Sequence, residues 1–397
     1  MQIRKFCRIF NYAKNNSVFY HNLYKEAGVF DLDIRTVEDI CKIPVITKTQ
    51  LREAGLENIL TSHDFTKINI HTTSGSTGIP LKFGFNQFED FTAHVRILYI
   101  LLKAGHKITN TIYLVTRFEK DDEFNVEKEV TLIKKIQKLF GLFKRKIISI
   151  YTDPKIVTDI LLKEKPKVLW STPSIMQLIT NELIRRGEKL EIPLLFYTSE
   201  TVFEDQESLF KKYLGKKIVN VYGAMESPSL GFDINMTGTM RTFPNSNIFE
   251  FYNHFKEKGK LFAQPIITNL VNYTTPIIRF DLGDLIEINY NKKKCIGHVY
   301  GRVDDIIELG DGRHLAHHHA HELFMNFMEC EQWKIVKRGD RIKLQIKIKN
   351  ELNENIMIEK ASKIWSKRYP DVPLDVEIVN EFKIDKKTGK FKNIEIE

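Results

Sequence analysis

No run of about 18 or more uncharged apolar residues occurs in this chain. The N-terminal stretch MQIRKFCRIFNYAKNN also lacks a continuous apolar segment and a small-residue cleavage site. The expected location is therefore the cytoplasm, with no stable membrane insertion. Cysteine is scarce: Cys7, Cys41, Cys295 and Cys330 are scattered, with no CxxC pair. That spacing argues against a disulfide framework and against a complete Cys-rich zinc site, and predicts reduced thiols. Internal repeats and low-complexity tracts are lacking, which sets aside solenoids. The phosphate-loop pattern GxxxxGK[ST] is missing too. So are zinc-finger spacings and ribonucleoprotein signatures, so nucleic acid is not the leading partner.

What is present starts with charge. The net charge of +9 at pH 7 suits an anionic partner, whether nucleic acid, an anionic membrane surface or an anionic substrate such as ATP. Much of it sits in basic runs: Lys144 to Lys146, Lys292 to Lys294, and the lysines between Lys383 and Lys392. Such runs read first as solvated faces or loops.

At 397 residues the chain is longer than one hydrophobic core usually serves, which predicts a large domain and a smaller one. Helical periodicity appears over residues 88–104, 127–143 and 174–184, with Ser174 as the expected cap after Pro173. Short β-rich runs fall between, at 111–115, 147–151, 168–170, 194–197 and 218–222. This alternation predicts an α/β fold with a mainly parallel sheet. After about residue 250 the texture turns to Gly-punctuated strands, 260–268 and 285–290. From about residue 304 an amphipathic segment (316–327), an alternating strand (341–349), a helix (355–365) and a strand (374–379) predict a small α+β cap. The expected division is 1–303 and 304–397.

Four strings carry the chemistry. Residues 71–81, HTTSGSTGIPL, combine hydroxyls and glycines in a loop whose backbone N–H groups can wrap a polyphosphate. Residues 221–226, VYGAME, directly follow the strand 218–222. They offer an aromatic face to a purine and a carboxylate to a metal ion at the carboxyl edge of the sheet. Residues 276–284, PIIRFDLGD, place Asp284 after a turn glycine, as suits a carboxylate bonding ribose hydroxyls. Residues 301–305 read GRVDD. Each string alone is compatible with an ordinary turn; their joint order is the signal.

Together these strings resemble the adenylate-forming ligase superfamily, and most closely its phenylacetate-CoA ligase and CapK-type capsular polysaccharide branch. FYHNLYKEAGV, IPVITKTQLRE and TPSIMQLI are similar to segments of the same branch, so the resemblance spans about Tyr20 to Lys390. It implies a large N-terminal domain of several subdomains carrying the ATP and acid sites, and a mobile C-terminal cap bearing a catalytic lysine. A carboxylate would attack the α-phosphate of ATP, expel pyrophosphate and leave an acyl-adenylate. An acceptor would then capture the acyl group: CoA, or an amine or hydroxyl as in surface-polysaccharide synthesis.

Carried onto this chain, Thr73, Ser74, Gly75, Ser76, Thr77 and Gly78 would hold the β- and γ-phosphates. Tyr222 and Gly223 would meet adenine, with Ser199 and Glu200 beside the nucleotide. Glu226 would hold Mg²⁺, Asp284 the ribose, and Arg302 ribose or phosphate. Asp304 would be the hinge, and Lys390 in KKTGKFK would meet the adenylation transition state. The acid pocket is expected from residues 170–174, Ser199 and 231–233.

Three departures bear on activity. Ile79 stands where the family has a lysine, and Met225 where it has a threonine. These motivate a second reading, a nucleotide-binding homologue with weakened catalysis that serves as a regulatory or scaffold protein. Of the branch's zinc-binding cysteine cluster only Cys295 remains, with His298 nearby. The tract RHLAHHHAH (313–321) puts His317 and His321 at i, i+4 on one helix face, a spacing that suits two metal ligands, a hinge contact or an anion contact.

Overall fold

The computed structural model describes residues 2–72, 81–116, 144–257, 259–289, 295–303, 306–309, 314–315, 317–324, 327, 329–348, 352–382 and 393–396. The chain forms two compact units. One comprises Met1–Leu282 with Ile286–Val299, the other Gly283–Leu285 with Tyr300–Glu397.

Apolar residues at helical spacing start the first unit. Helix α1 (Gln2–Asn16) buries Phe6, Ile9, Phe10 and Ala13 on one face, each large side chain contributing about 1.5–3 kcal/mol. Helices α2 (Val18–Glu26), α3 (Val37–Cys41), α4 (Lys48–Ala54) and α5 (Leu56–Ile59) follow. Thr36 and Thr47 open α3 and α4 with reciprocal capping boxes. The antiparallel pair β1 (Ile68–Thr72) and β2 (Lys82–Asn86) flanks the Ser/Thr/Gly-rich loop. Residues 73–80 of that loop lie outside the described residues.

Asn86 caps α6 (Gln87–Ala104), and Glu89 completes its capping box. The Glu89 carboxylate also accepts from the backbone N–H groups of Tyr273 (2.7 Å) and Thr274 (3.0 Å). One side chain thus ties this helix to the turn ahead of the PIIRFDLGD string.

The expected alternating region contains β3 (Ile112–Thr116), β4 (Arg145–Ser149), α7 (Pro154–Glu164), β5 (Val168–Ser171), α8 (Pro173–Arg186), β6 (Ile192–Tyr197), α9 (Glu204–Tyr213), β7 (Gly215–Ala224), β8 (Ser227–Asp233) and β9 (Arg241–Thr242). Their sheet runs β4-β3-β5-β6-β7-β8-β9. It is parallel from β4 to β7 and antiparallel at β8 and β9. Strand β6, IPLLFY, is buried at five of its six positions, as a parallel strand covered on both faces should be. The helix expected at 127–143 lies outside the described residues.

Two sequence expectations shift. Thr172 and not Ser174 holds the N-cap position of α8, with Pro173 in the first turn, and its side chain makes no capping hydrogen bond. Strand β7 runs past Tyr222 to Ala224, so the turn falls at Met225 and Glu226, because β8 pairs back on it.

A second sheet has β10 (Asn247–Glu257), β11 (Lys260–Asn269), β13 (Asp284–Asn289) and β14 (Cys295–Arg302) in that order, with β12 (Phe280–Asp281) paired to β11.

The second unit contains the hairpin β15 (Ile307–Glu308) and β16 (His314–Leu315), helix α10 (His317–Phe324), strands β17 (Cys330–Arg338) and β18 (Arg341–Ile348), helix α11 (Glu354–Arg368), and strands β19 (Leu374–Ile378) and β20 (Ile394–Ile396). The last four strands order as β19-β18-β17-β20. Ile342, Leu344 and Ile346 of β18 alternate inward and pack with Trp333, Phe324, Ile394 and Trp365. No described helix is long and apolar enough to cross a membrane.

Candidate active site

Glu226 sits in the two-residue turn between β7 and β8, and is only 2 % exposed. Its Oε1 has no hydrogen-bond donor among the described residues. The Lys48 ammonium stands 3.5 Å from that oxygen, an ion pair too loosely aligned to count as a hydrogen bond. A buried carboxylate oxygen left with a single loose cation is costly to the folded chain.

Lys48 was not singled out by sequence reasoning; its only signal was its place inside IPVITKTQLRE. Tertiary hydrogen bonds put it there. Ile46 N–H donates to Arg279 O (2.8 Å) and Asp281 N–H donates to Ile46 O (2.8 Å), so IPVITK lies beside PIIRFD as a short parallel bridge. Arg279 locks that bridge. Its guanidinium pairs with Glu250 at 2.9 Å and donates to the carbonyls of Cys41 and Ile43. The arginine of the third string is thus an anchor for the N-terminal segment.

Tyr222 is buried on β7 opposite Gly231, within the N-terminal core. Gly223 occupies a break in the register, and a Cβ there would lie 3.0 Å from Ser229 N. Any side chain there would crowd the point where β7 and β8 draw together. Ser199 adopts a positive φ of 74° in the segment after β6. Its neighbour Glu200 accepts from both N–H (2.8 Å) and Oγ–H (2.9 Å) of Ser174, supplying from outside the helix the negative charge that the first turn of α8 favours.

Asp284 and Arg302 belong to the second unit, where they form an ion pair at 3.2 Å. Gly283 has φ +68°, and a Cβ on it would fall 2.7 Å from Arg302 Nη2. Val303 N–H donates to Gly283 O at 2.9 Å. The third and fourth strings, separate in sequence, thus share one carboxylate–guanidinium pair. Residues 73–78, Asp304 and Lys390 lie outside the described residues. Asn393, three residues after Lys390, is fastened to β17: its carbonyl accepts from Ile335 N–H (2.7 Å), and its amide donates to Trp333 O (2.9 Å).

Cys7, Cys41 and Cys330 form no disulfide among the described residues. Among the described residues no three His, Cys, Asp or Glu groups gather as a metal cage. His319 in the His-rich tract is buried, while the side chains of His317 and His321 lie outside the described residues.

No protein-family model matches the chain. Curated relatives do. Phenylacetate-coenzyme A ligase of Thermus thermophilus is 23% identical over 331 residues, covering 77% of this chain and 71% of that protein. Protein CapK of Staphylococcus aureus is 24% identical over 326 residues, covering 78% of this chain and 68% of its own. Among solved structures, a 2-hydroxyisobutyryl-CoA ligase complexed with an acyl-AMP superposes with a TM-score of 0.76 at 17% identity, over 100% of this chain and 88% of that one. An anthranilate-CoA ligase bound to anthranoyl-AMP gives 0.59 at 13% identity, over 81% of this chain and 64% of the other. The resemblance drawn from the four strings is borne out, and the fold is that of the adenylate-forming ligases.

Proposed function

We propose that this protein activates a small carboxylic acid with ATP and transfers the acyl group to an acceptor thiol, CoA. The observation that carries this reading is the buried, underpartnered Glu226 carboxylate in the turn after Tyr222 and Gly223, where the ligase resemblance expects a metal-binding acid. Relatives named as CoA ligases support the thiol over an amine or hydroxyl acceptor.

In the first half-reaction a carboxylate oxygen bonds to the α-phosphorus, and the bond from that phosphorus to the β-phosphate bridging oxygen breaks. Pyrophosphate carries the electron pair away. Positioning and charge stabilisation supply most of the acceleration. Residues 73–78 hold the β- and γ-phosphates, Tyr222 and Gly223 receive adenine, with Ser199 and Glu200 beside the nucleotide, and Asp284 with Arg302 holds the ribose. Glu226 suits Mg²⁺, which is commonly held by one or two carboxylates together with phosphate oxygens and waters. When bound, the metal neutralises phosphate charge. Lys48 adds a second positive charge near Glu226.

Within the C-terminal cap, 304–397, the resemblance makes Asp304 the hinge and gives Lys390 the charge that develops on the phosphate and carboxylate oxygens. In the second half-reaction the thiol sulfur bonds to the acyl carbon, the bond from that carbon to the phosphate oxygen breaks, AMP departs with the electron pair and the thiol proton passes to solvent.

Acid-dependent pyrophosphate release, measured over a broad acid panel and followed by thioester detection with CoA, tests the reading. Tight ATP binding with no pyrophosphate from any acid would replace it with the regulatory or scaffold reading that Ile79 and Met225 motivate.

A further inference from the structure

Arg96 lies on α6 and is 8 % exposed, yet no carboxylate partners it among the described residues. Its one hydrogen bond runs from Nη2 to Pro228 O at a long 3.4 Å, and its Nε has no acceptor. Burial alone, unopposed by any anion, lowers its pKa to about 10. Arg279 shows how this unit treats a buried guanidinium when its role is to hold the fold, with a carboxylate on one edge and two carbonyls on another. Among the described residues Arg96 has no carboxylate and only the one long bond to a carbonyl.

Its neighbours are committed elsewhere. On its own helix, Glu89 is taken by backbone N–H groups, and Asp90 by Asn69 (2.5 Å) and His71 (3.3 Å). On the hairpin, Glu226 faces Lys48, while Asp233 accepts from Asn235, Thr237 and Thr239. Beside Pro228, however, stands Ser229. It is 3 % exposed, adopts φ +60°, and its Oγ has no partner among the described residues. The strand that carries both continues into Gly231, Phe232 and Asp233, where the acid pocket is expected. Tyr99, one turn along α6 from Arg96, packs edge-on against Phe232 at 6.1 Å.

We infer that Arg96 and Ser229 form an anion subsite, and that the acid this protein activates is a dicarboxylate whose second carboxylate they hold. The inference rests on the ligase reading above. A planar guanidinium and a hydroxyl match the geometry of a carboxylate. A buried cation without a counter-ion also penalises any acid that cannot supply one.

The test compares pyrophosphate release with acids of equal chain length, succinate against butanoate and glutarate against pentanoate. Wild type should favour the diacids by on the order of 100-fold in kcat/KM, and Arg96→Met should erase most of that ratio. Ser229→Ala should lower it by about tenfold. Thermal melting of Arg96→Met should be at or above that of wild type, since an unpaired buried charge is removed, and this separates the subsite from a structural role. A wild-type preference for monoacids, or a ratio unchanged by Arg96→Met, would overturn the subsite and leave the ligase standing. Should no acid release pyrophosphate, calorimetric titration of succinate, glutarate and orthophosphate decides it independently. Diacid binding that disappears in Arg96→Met supports the inference; Arg96-dependent binding of phosphate alone, or no binding, refutes it.

Discussion

Lys48 Nζ stands 3.5 Å from Glu226 Oε1, joining the first turn of α4 to the β7–β8 turn. The pair leaves a buried carboxylate with few donors, so its stability depends on the one ammonium that faces it. Removing Lys48 strands the carboxylate. Lys48→Ala should destabilise the protein by about 1–3 kcal/mol, and Glu226→Gln in the same chain should recover part of that loss. Denaturant melts of the two single variants and the double variant measure the coupling. Additive effects would mean that the two side chains do not interact in solution.

Lys390→Ala should slow acid-dependent pyrophosphate release by on the order of 100-fold or more while leaving ATP affinity within a few-fold. A contact made only in the transition state changes rate and not ground-state binding. Equilibrium dialysis with labelled ATP beside the rate assay separates these quantities, and an unchanged rate would remove Lys390 from the mechanism.

Asp284→Ala should weaken nucleotide binding by roughly tenfold or more, because the ribose loses its acceptor and Arg302 its ion pair. Gly283→Ala tests the same geometry from the backbone. Its Cβ would press on Arg302 in a φ that disfavours side chains, which should cost about 1–2 kcal/mol. Fluorescent-nucleotide titration with melting curves reads both, and wild-type affinity in Asp284→Ala would withdraw the ribose assignment.

Glu182 offers a pH prediction away from the site. Arg185 and Arg186 hydrogen-bond its carboxylate and lower its pKa to about 2. A depressed carboxylate contributes stability that is complete above the unfolded value of about 4.3, and loses it as pH falls toward about 2. Glu182→Gln should therefore be less stable than wild type at neutral pH, with the gap closing across that acid window. Urea midpoints at a series of pH values check the sign.

Much of the architecture was legible because hydrophobic periodicity is local. The runs at 168–170 and 194–197 and the alternating RIKLQIKI needed no tertiary knowledge to be recognised as strands. Ser174 was misjudged as a cap because a carboxylate from another segment, Glu200, supplies the charge that a local side chain was expected to provide. The strand's extension past Tyr222 was missed for a similar reason: β8 holds it by pairing, and no residue type within VYGAME announces that.

The candidate residues Tyr222, Glu226, Asp284 and Arg302 were picked out by the sequence alone, since short strings around glycine turns carry their own chemistry. Tertiary structure alone decided that Lys48 faces Glu226, that Gly283 and Asp284 meet Arg302, that Arg279 is an anchor, and that Arg96 is buried without an anion among the described residues. Those facts depend on which distant backbone comes within hydrogen-bonding or Coulombic range. Charge pairing acts through space and leaves no periodic trace along the chain.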